Sequence, residues 1–248
     1  MIFLGDTHGN NSYIKYIIKQ KKITNQHIIH VGDFGVGFIG YNQEIQNLGH
    51  FNKWLKLKDI TLHVFRGNHD DPKFFTGDHI YGNLKLHVDY TVLEIEDKKI
   101  LGIGGAVSID RSTRWKEQNS WWPDEVFVLD EDKLNEVSGI DILVTHTTPS
   151  EIPPDNSNGF PPIVLQFAHS DGNLIEDLDL ERELLSKALK ILLNNDSNNI
   201  THHFYGHFHQ DIKTELNGCE HICLGIGKFH GLIDYTDYEN EMNEKYSK

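Results

Sequence analysis

The sequence predicts an α/β fold in a single domain spanning residues 1–248. Three observations carry this expectation. The chain opens with a β-α-β pattern, its apolar strands run into clusters of Gly, Asp, Asn or His, and no repeat or low-complexity linker interrupts it.

Residues 2–5 read as a short buried strand and 27–32 as a second. Between them Tyr13, Ile14, Ile17 and Ile18 recur at helical spacing, which completes the β-α-β unit. Residues 44–58 form the next helix, with Ile45, Leu48, Phe51, Trp54 and Leu55 as its apolar stripe, and 61–65 the third strand. Polar clusters at the carboxyl ends of such strands are where ligands sit in α/β sheets. Residues 91–96 and 99–103 flank a polar turn at Asp97-Lys98 and predict a hairpin. Ile142–Thr145 is another strand and ends at His146. Five of the seven prolines (Pro149, Pro153, Pro154, Pro161 and Pro162) mark 149–162 as a loop. A helix over Leu174–Leu193 turns Leu178, Leu184, Leu185, Leu189 and Leu192 inward. Three strands follow, at His202–Tyr205, 220–224 and 232–235, and the polar last dozen residues are expected to fray.

Composition narrows the function. An apolar fraction of 38% and a charged fraction of 24% are those of a globular protein with room for a substantial core. No apolar run reaches the roughly 18 residues a membrane helix needs. The apolar start at Met1 has no basic flank and runs directly into the first motif, so a cytoplasmic location is expected. Cys219 and Cys223 are too few for a disulfide framework and read as unpaired thiols. With 23 basic and 37 acidic residues the net charge is −14, which repels a polyanion. Extended nucleic acid is therefore not an expected partner. A small phosphorylated substrate is, because divalent metals in a pocket can dominate the local field.

Five short signatures carry chemistry, each after an apolar strand: Asp6-Thr7-His8, Gly32-Asp33, Gly67-Asn68-His69-Asp70, His146, and Gly206-His207-Phe208-His209. Any one of them alone is ordinary turn chemistry, since Asp and Asn favour turns. Together they bring two carboxylates, an amide and several imidazoles to one sheet edge. That mixture suits Mn²⁺, Fe²⁺ and Zn²⁺. A carboxylate between two such ions can bridge them and leave room for a shared water.

The ordered set D-x-H, G-D, G-N-H-D, H and G-H-x-H, spanning residues 6–209, resembles the calcineurin-like metallophosphoesterases. The resemblance implies a four-layer α/β/β/α sandwich and two divalent metal ions, Mn²⁺ first, with Fe, Zn, Ni or Mg as alternatives. It implies that Asp6, His8, Asp33 and His209 bind one metal, and that Asp33, Asn68, His146 and His207 bind the other. Asp33 would bridge, His69 would act as general acid, and a metal-bridging hydroxide would attack phosphorus. Asn68 and His69 would also contact substrate.

Two departures shape the expected activity. The family's protein-phosphatase branch carries a second aspartate three positions after the bridging one, where this chain has Val36, and a glutamate where it has Asp70. A phosphodiesterase or small-molecule phosphatase, nucleotides included, is the expected activity. A nuclease acting on nucleic-acid ends or a Ser/Thr protein phosphatase is the alternative, and an inactive interaction scaffold ranks last because every ligand position is filled. Asp70 could take over the orienting of His69. Secondly, Gly104-Gly105-Ala106-Val107-Ser108-Ile109-Asp110-Arg111, followed by Arg114 and Trp121-Trp122-Pro123-Asp124-Glu125, resembles a bacterial and phage-encoded variant of the family. Arg111 and Arg114 would either clamp phosphate oxygens or form ion pairs with Asp110 or Glu117. Trp121 and Trp122 would pack as core or lid, or stack on a base.

Overall fold

Alternation along the first strand decides the architecture. In β1 (Ile2–Leu4) all three residues are buried, Ile2 and Leu4 on one face and Phe3 on the other. A strand buried on both faces needs a layer on each side. The same division continues through β2 (Gln26–His30) and β3 (Ile60–Val64). Ile28, Ile60, Leu62 and Val64 join Ile2 and Leu4 beneath helices α1 (Asn11–Gln20) and α2 (Tyr41–Leu57). Ile29 joins Phe3 in a second core shared with another sheet, whose Ile100, Ile142, Val144, Phe204 and Ile222 face it. Phe3 stacks on Phe204 with ring centroids 3.7 Å apart, at the middle of this interface.

The computed structural model describes residues 1–116, 120–153 and 159–232, and its layers run helices, sheet, sheet, helices. The first sheet orders its strands β11 (Phe229–Gly231), β1, β2, β3, β4 (Leu84–Leu86), parallel except for β11. The second orders β5 (Thr91–Ile95), β6 (Lys98–Ile103), β7 (Ile142–Thr145), β8 (His202–Tyr205), β10 (Cys219–Cys223) and β9 (Ile212–Leu216). Its four inner strands are parallel and its two edges antiparallel. The outer face of this sheet is covered by α4 (Glu131–Glu136) and α6 (Leu174–Leu193), where Leu101 and Leu143 meet Leu185, Leu189 and Leu192. Two short helices, α3 (Arg111–Lys116) and α5 (Pro162–Ala168), stand near the sheet edge. Among the described residues no helix is long and apolar enough to cross a membrane.

Several boundaries differ from expectation for local reasons. The first hairpin turns at Glu96-Asp97, one residue earlier than the polar pair predicted, because both residues adopt positive φ (51° and 60°) as a type I′ turn requires. The proline-rich stretch is not loop to its end: α5 starts at Pro162, since proline suits a first helical position. Strands β4 and β9 were not expected. Among the described residues the last strand is Phe229–Gly231, and of the strand predicted at 232–235 only residue 232 is described. Residues 233–235 and the expected frayed end lie outside the described residues, as does Glu117. Cys219 and Cys223 are free and buried.

Candidate metal centre

Both sheets deliver their parallel strand ends to one edge. Asp6 and His8 follow β1, Asp33 follows β2, and Asn68 and His69 follow β3. His146 directly succeeds β7, and His207 and His209 succeed β8. One atom from each of Asp6, His8, Asp33 and His209 lies within 4.8 Å of the others. In this group His209 Nε2 is 3.2 Å from Asp6 Oδ2 and 3.1 Å from His8 Nε2. A second group forms around Asn68, whose Oδ1 lies 3.1 Å from His146 Nε2 and 2.9 Å from His207 Nδ1. Asp33 faces both groups. Its Oδ1 is 3.2 Å from His146 Nε2 and its Oδ2 is 3.8 Å from His8 Nδ1.

The backbone is strained to achieve this. His8, Asp33, His207 and His209 all have positive φ, between 45° and 68°. Side chains with a Cβ adopt that region at a cost of about 1–3 kcal/mol each, and such outliers concentrate where function demands them. Glycine makes room beside them: a Cβ on Gly206 would strike Asp6 Oδ1, and one on Gly67 would strike Asp33 Oδ1.

Hydrogen bonds fix the orientation of the donors. The Val31 carbonyl can only accept, so His146 presents Nδ1–H to it at 3.0 Å and turns Nε2 inward. Burial opposes the charge of Asp33, yet the adjoining His146 holds its carboxyl well below the usual range. His146 in turn is pushed up to about 10: burial opposes its charge, and Asp33 outweighs that. His209 is raised by its hydrogen bond to Asp6. His207 falls to about 3 through burial and the neighbouring His146. His69 is lowered by burial, with Arg114 acting in the same direction.

The family model described as "Calcineurin-like phosphoesterase" matches residues 1–211. The chain belongs to that family. This calcineurin-like phosphoesterase is thus a phosphoester-hydrolysing enzyme of a metal-dependent class. Solved structures with a similar course include a Staphylococcus aureus protein described as a "Putative 5'-Nucleotidase" (13% identity, TM-score 0.48, 94% of this chain and 51% of that one). A phosphopantetheinyl hydrolase from Mycobacterium tuberculosis follows at 14% identity and TM-score 0.42, covering 90% and 89%. An archaeal phosphodiesterase shares 16% identity at TM-score 0.38, covering 91% and 84%. No curated protein matches the sequence.

The residues present fit divalent ions. Asp6 is fully buried, and its Oδ1 has no hydrogen-bond partner, a costly arrangement unless a cation faces it. The donor set of carboxylate, amide oxygen and imidazole suits borderline divalent metals.

The phosphoesterase's other expected site residues divide. Arg111 gives its guanidinium to Asp171 at 2.6 Å and Asp177 at 2.5 Å, so among the described residues it makes ion pairs with two carboxylates the sequence did not single out. Arg114 is buried behind Asn68. It donates to Ser108 Oγ at 2.7 Å and to the Ser120 carbonyl, and lies 3.4 Å from Glu125 and 3.7 Å from Asp110. Arg114 Nη2 also lies 3.5 Å from the Asn68 carbonyl. Asp70 does not orient His69. Its carboxylate accepts four backbone N–H groups, from Phe34, Gly35, Val36 and Gly67. Trp122 packs edge-on to Phe38, which stacks on His69 with centroids 6.1 Å apart.

Three residues in this enzyme had no assigned role from sequence. Ser108 accepts Asn68 Nδ2 at 2.8 Å. Arg66 ties the Trp122–Glu125 segment to β3, donating to Asp89 and to the carbonyls of Asp124, Glu125 and Val126. Phe38 backs His69. Ser108 stood within a recognised segment, and Arg66 directly precedes Gly67. Phe38 carried no comparable signal.

Proposed function

We propose that this phosphoesterase hydrolyses small phosphate esters, diesters or monoesters with nucleotides among them, using two divalent cations, Mn²⁺ by preference. The observation that carries the reading is the placement of Asp33, with one carboxylate oxygen turned to each of two donor groups. Asp6, His8, Asp33 and His209 would hold one ion, and Asp33, Asn68, His146 and His207 the other. Bound there, the ions would lower the pKa of water and polarise the phosphoryl oxygens.

The chain's own residues supply the rest. Asp33 is held in place by the His69 backbone N–H, which donates to its Oδ1 at 2.7 Å. The same bond fixes the start of the His69 side chain relative to the ion-binding carboxylate. His69 is neutral at pH 7 because burial lowers it, so it offers one ring N–H to the departing ester oxygen. That hydrogen bond strengthens as negative charge develops on the oxygen, and alkyl esters, whose leaving oxygen carries more of that charge, need it more than aryl esters do.

Hydrolysis of p-nitrophenyl phosphate and bis-p-nitrophenyl phosphate with added Mn²⁺ tests this. Turnover should require metal and fall to background in Asp33→Asn. His69→Ala should lose about 10²-fold or more on an alkyl ester and less on the nitrophenyl esters. Metal-independent turnover, or full activity in Asp33→Asn, would overturn the reading.

A further inference from the structure

The cavity at the strand ends extends well past the proposed metal ligands. It encloses about 710 Å³, with Asp33, Asn68, His69, His207 and His209 at one end. A phosphate group needs far less, and cavities of this size hold whole small-molecule ligands. Its other wall is apolar: Ile109, Phe160, Ile163, Phe167 and Leu178. Much of this wall comes from α5 and the start of α6, which form a small cluster with Val107 apart from the two sheet cores. Within it, α5 leaves Ile163 48% exposed.

Charge separates the candidate occupants. Asp110, Glu151, Asp179 and Glu181 also line the cavity. Histidines aside, Arg182 is the one cationic side chain among the described lining residues. Its guanidinium is already engaged by the carbonyls of Thr148, Pro149, Ser150 and Ile152. Among the described lining residues a second phosphate would meet Glu151 and Asp179 with no unengaged cation to offset them.

We infer that the alcohol half of the ester lies in this apolar extension. The substrate is then the phosphate ester of an uncharged, apolar alcohol, and neither a nucleoside polyphosphate nor a nucleic-acid strand. This rests on the phosphoester reading of the strand-end site. Specificity comes from the wall formed by Phe160, Ile163, Phe167 and Leu178, and the carboxylates around it reject a second anionic group.

Alkylphosphonates, which carry the phosphoryl group but cannot be hydrolysed, test the pocket by binding to the Mn²⁺-loaded full chain in a calorimeter. From ethyl- through butyl- to hexylphosphonate, Kd should fall about threefold per methylene. The series should flatten in Phe167→Asp and in Ile163→Asp; the exposure of Ile163 makes the second variant safe for folding. 3-Phosphonopropionate should bind more weakly than propylphosphonate. A flat series in the unmodified protein, with ethylphosphonate still bound, would overturn the pocket and leave the phosphoester reading intact. A graded series with no hydrolysis of the matching alkyl phosphates would support the pocket and sink that reading. No binding of any phosphonate would overturn both.

Discussion

Asn68 faces two ways, and an amide can be flipped without changing shape. Whether oxygen or nitrogen meets His146 and His207 is decided by what its other end finds. Ser108 Oγ lies 2.8 Å from Asn68 Nδ2, and Arg114 Nη1 donates to that same oxygen at 2.7 Å. Arg114 can only donate, and the hydroxyl's own hydrogen goes to the Glu125 carboxylate, so Oγ accepts from Nδ2 and Oδ1 faces the imidazoles. Arg114 is held for this by Glu125 and by the Trp122 ring, 5.6 Å away. Arg114 thus reaches Asn68 through Ser108. Ser108→Ala removes the acceptor. It should weaken one Mn²⁺ site about tenfold or more, by analogy with other residues that orient metal ligands, while the site of Asp6, His8, Asp33 and His209 keeps its affinity. Calorimetric titration resolves the two sites, and two unchanged affinities would mean that the amide is oriented by something else.

At the scale of elements, the site depends on loops that belong to different strands being locked together. Asp70 does this between the loops after β2 and β3: Oδ1 accepts from Gly35 and Val36, Oδ2 from Phe34 and Gly67. Its carboxyl is pushed up to about 6 by burial and the Asp33 charge, and the N–H groups of Gly67, Val36 and Gly35 pull the other way. Asp70→Asn would set an NH₂ group against two backbone donors. A loss of about 2–4 kcal/mol in urea unfolding is expected, and a change under about 0.5 kcal/mol would refute the lock. None of this was legible from the sequence, where Asp70 was a candidate partner for His69 only because it stands beside it. The strands that feed the loops were legible, because burial on both faces makes continuous apolar runs such as Ile2-Phe3-Leu4. Edge strand β9 was missed for the opposite reason, with Lys213 and Glu215 alternating outward, although Asn217-Gly218 with φ of 54° and 76° marks a hairpin turn. Arg111 pairs with residues some sixty positions away, a contact that local pattern does not encode. The apolar pocket was equally hidden, because α5 begins inside a stretch whose prolines read as loop.

The whole molecule carries a net charge of −14, so binding cations at one edge relieves a general repulsion as well as a local one. Metal and proton compete there. Without metal, His146 holds a proton, because Asp33 outweighs the effect of burial and raises it to about 10. A histidine raised in the folded state contributes stability that is fully present below its unfolded pKa of about 6.5 and is lost as pH rises toward 10. Glu125 and Glu181, pushed up to about 7 by burial, act in the same direction, since their protonated forms favour the fold. Burial-lowered histidines such as His30, His63, His87 and His207 act the opposite way, gaining stability as pH rises through 6.5, so the comparison that isolates His146 is between metal-loaded and metal-free protein. Metal binding needs the His146 lone pair and releases its proton, so affinity rises as pH rises toward 10. Glu125 and Glu181 titrate in both forms and cancel when the forms are compared. The difference in Tm between Mn²⁺-loaded and chelator-treated protein should accordingly widen from pH 6 to pH 9. A gap that stays constant would show that no proton is exchanged for metal at His146, and the Asp33–His146 pair would then lie outside the metal site.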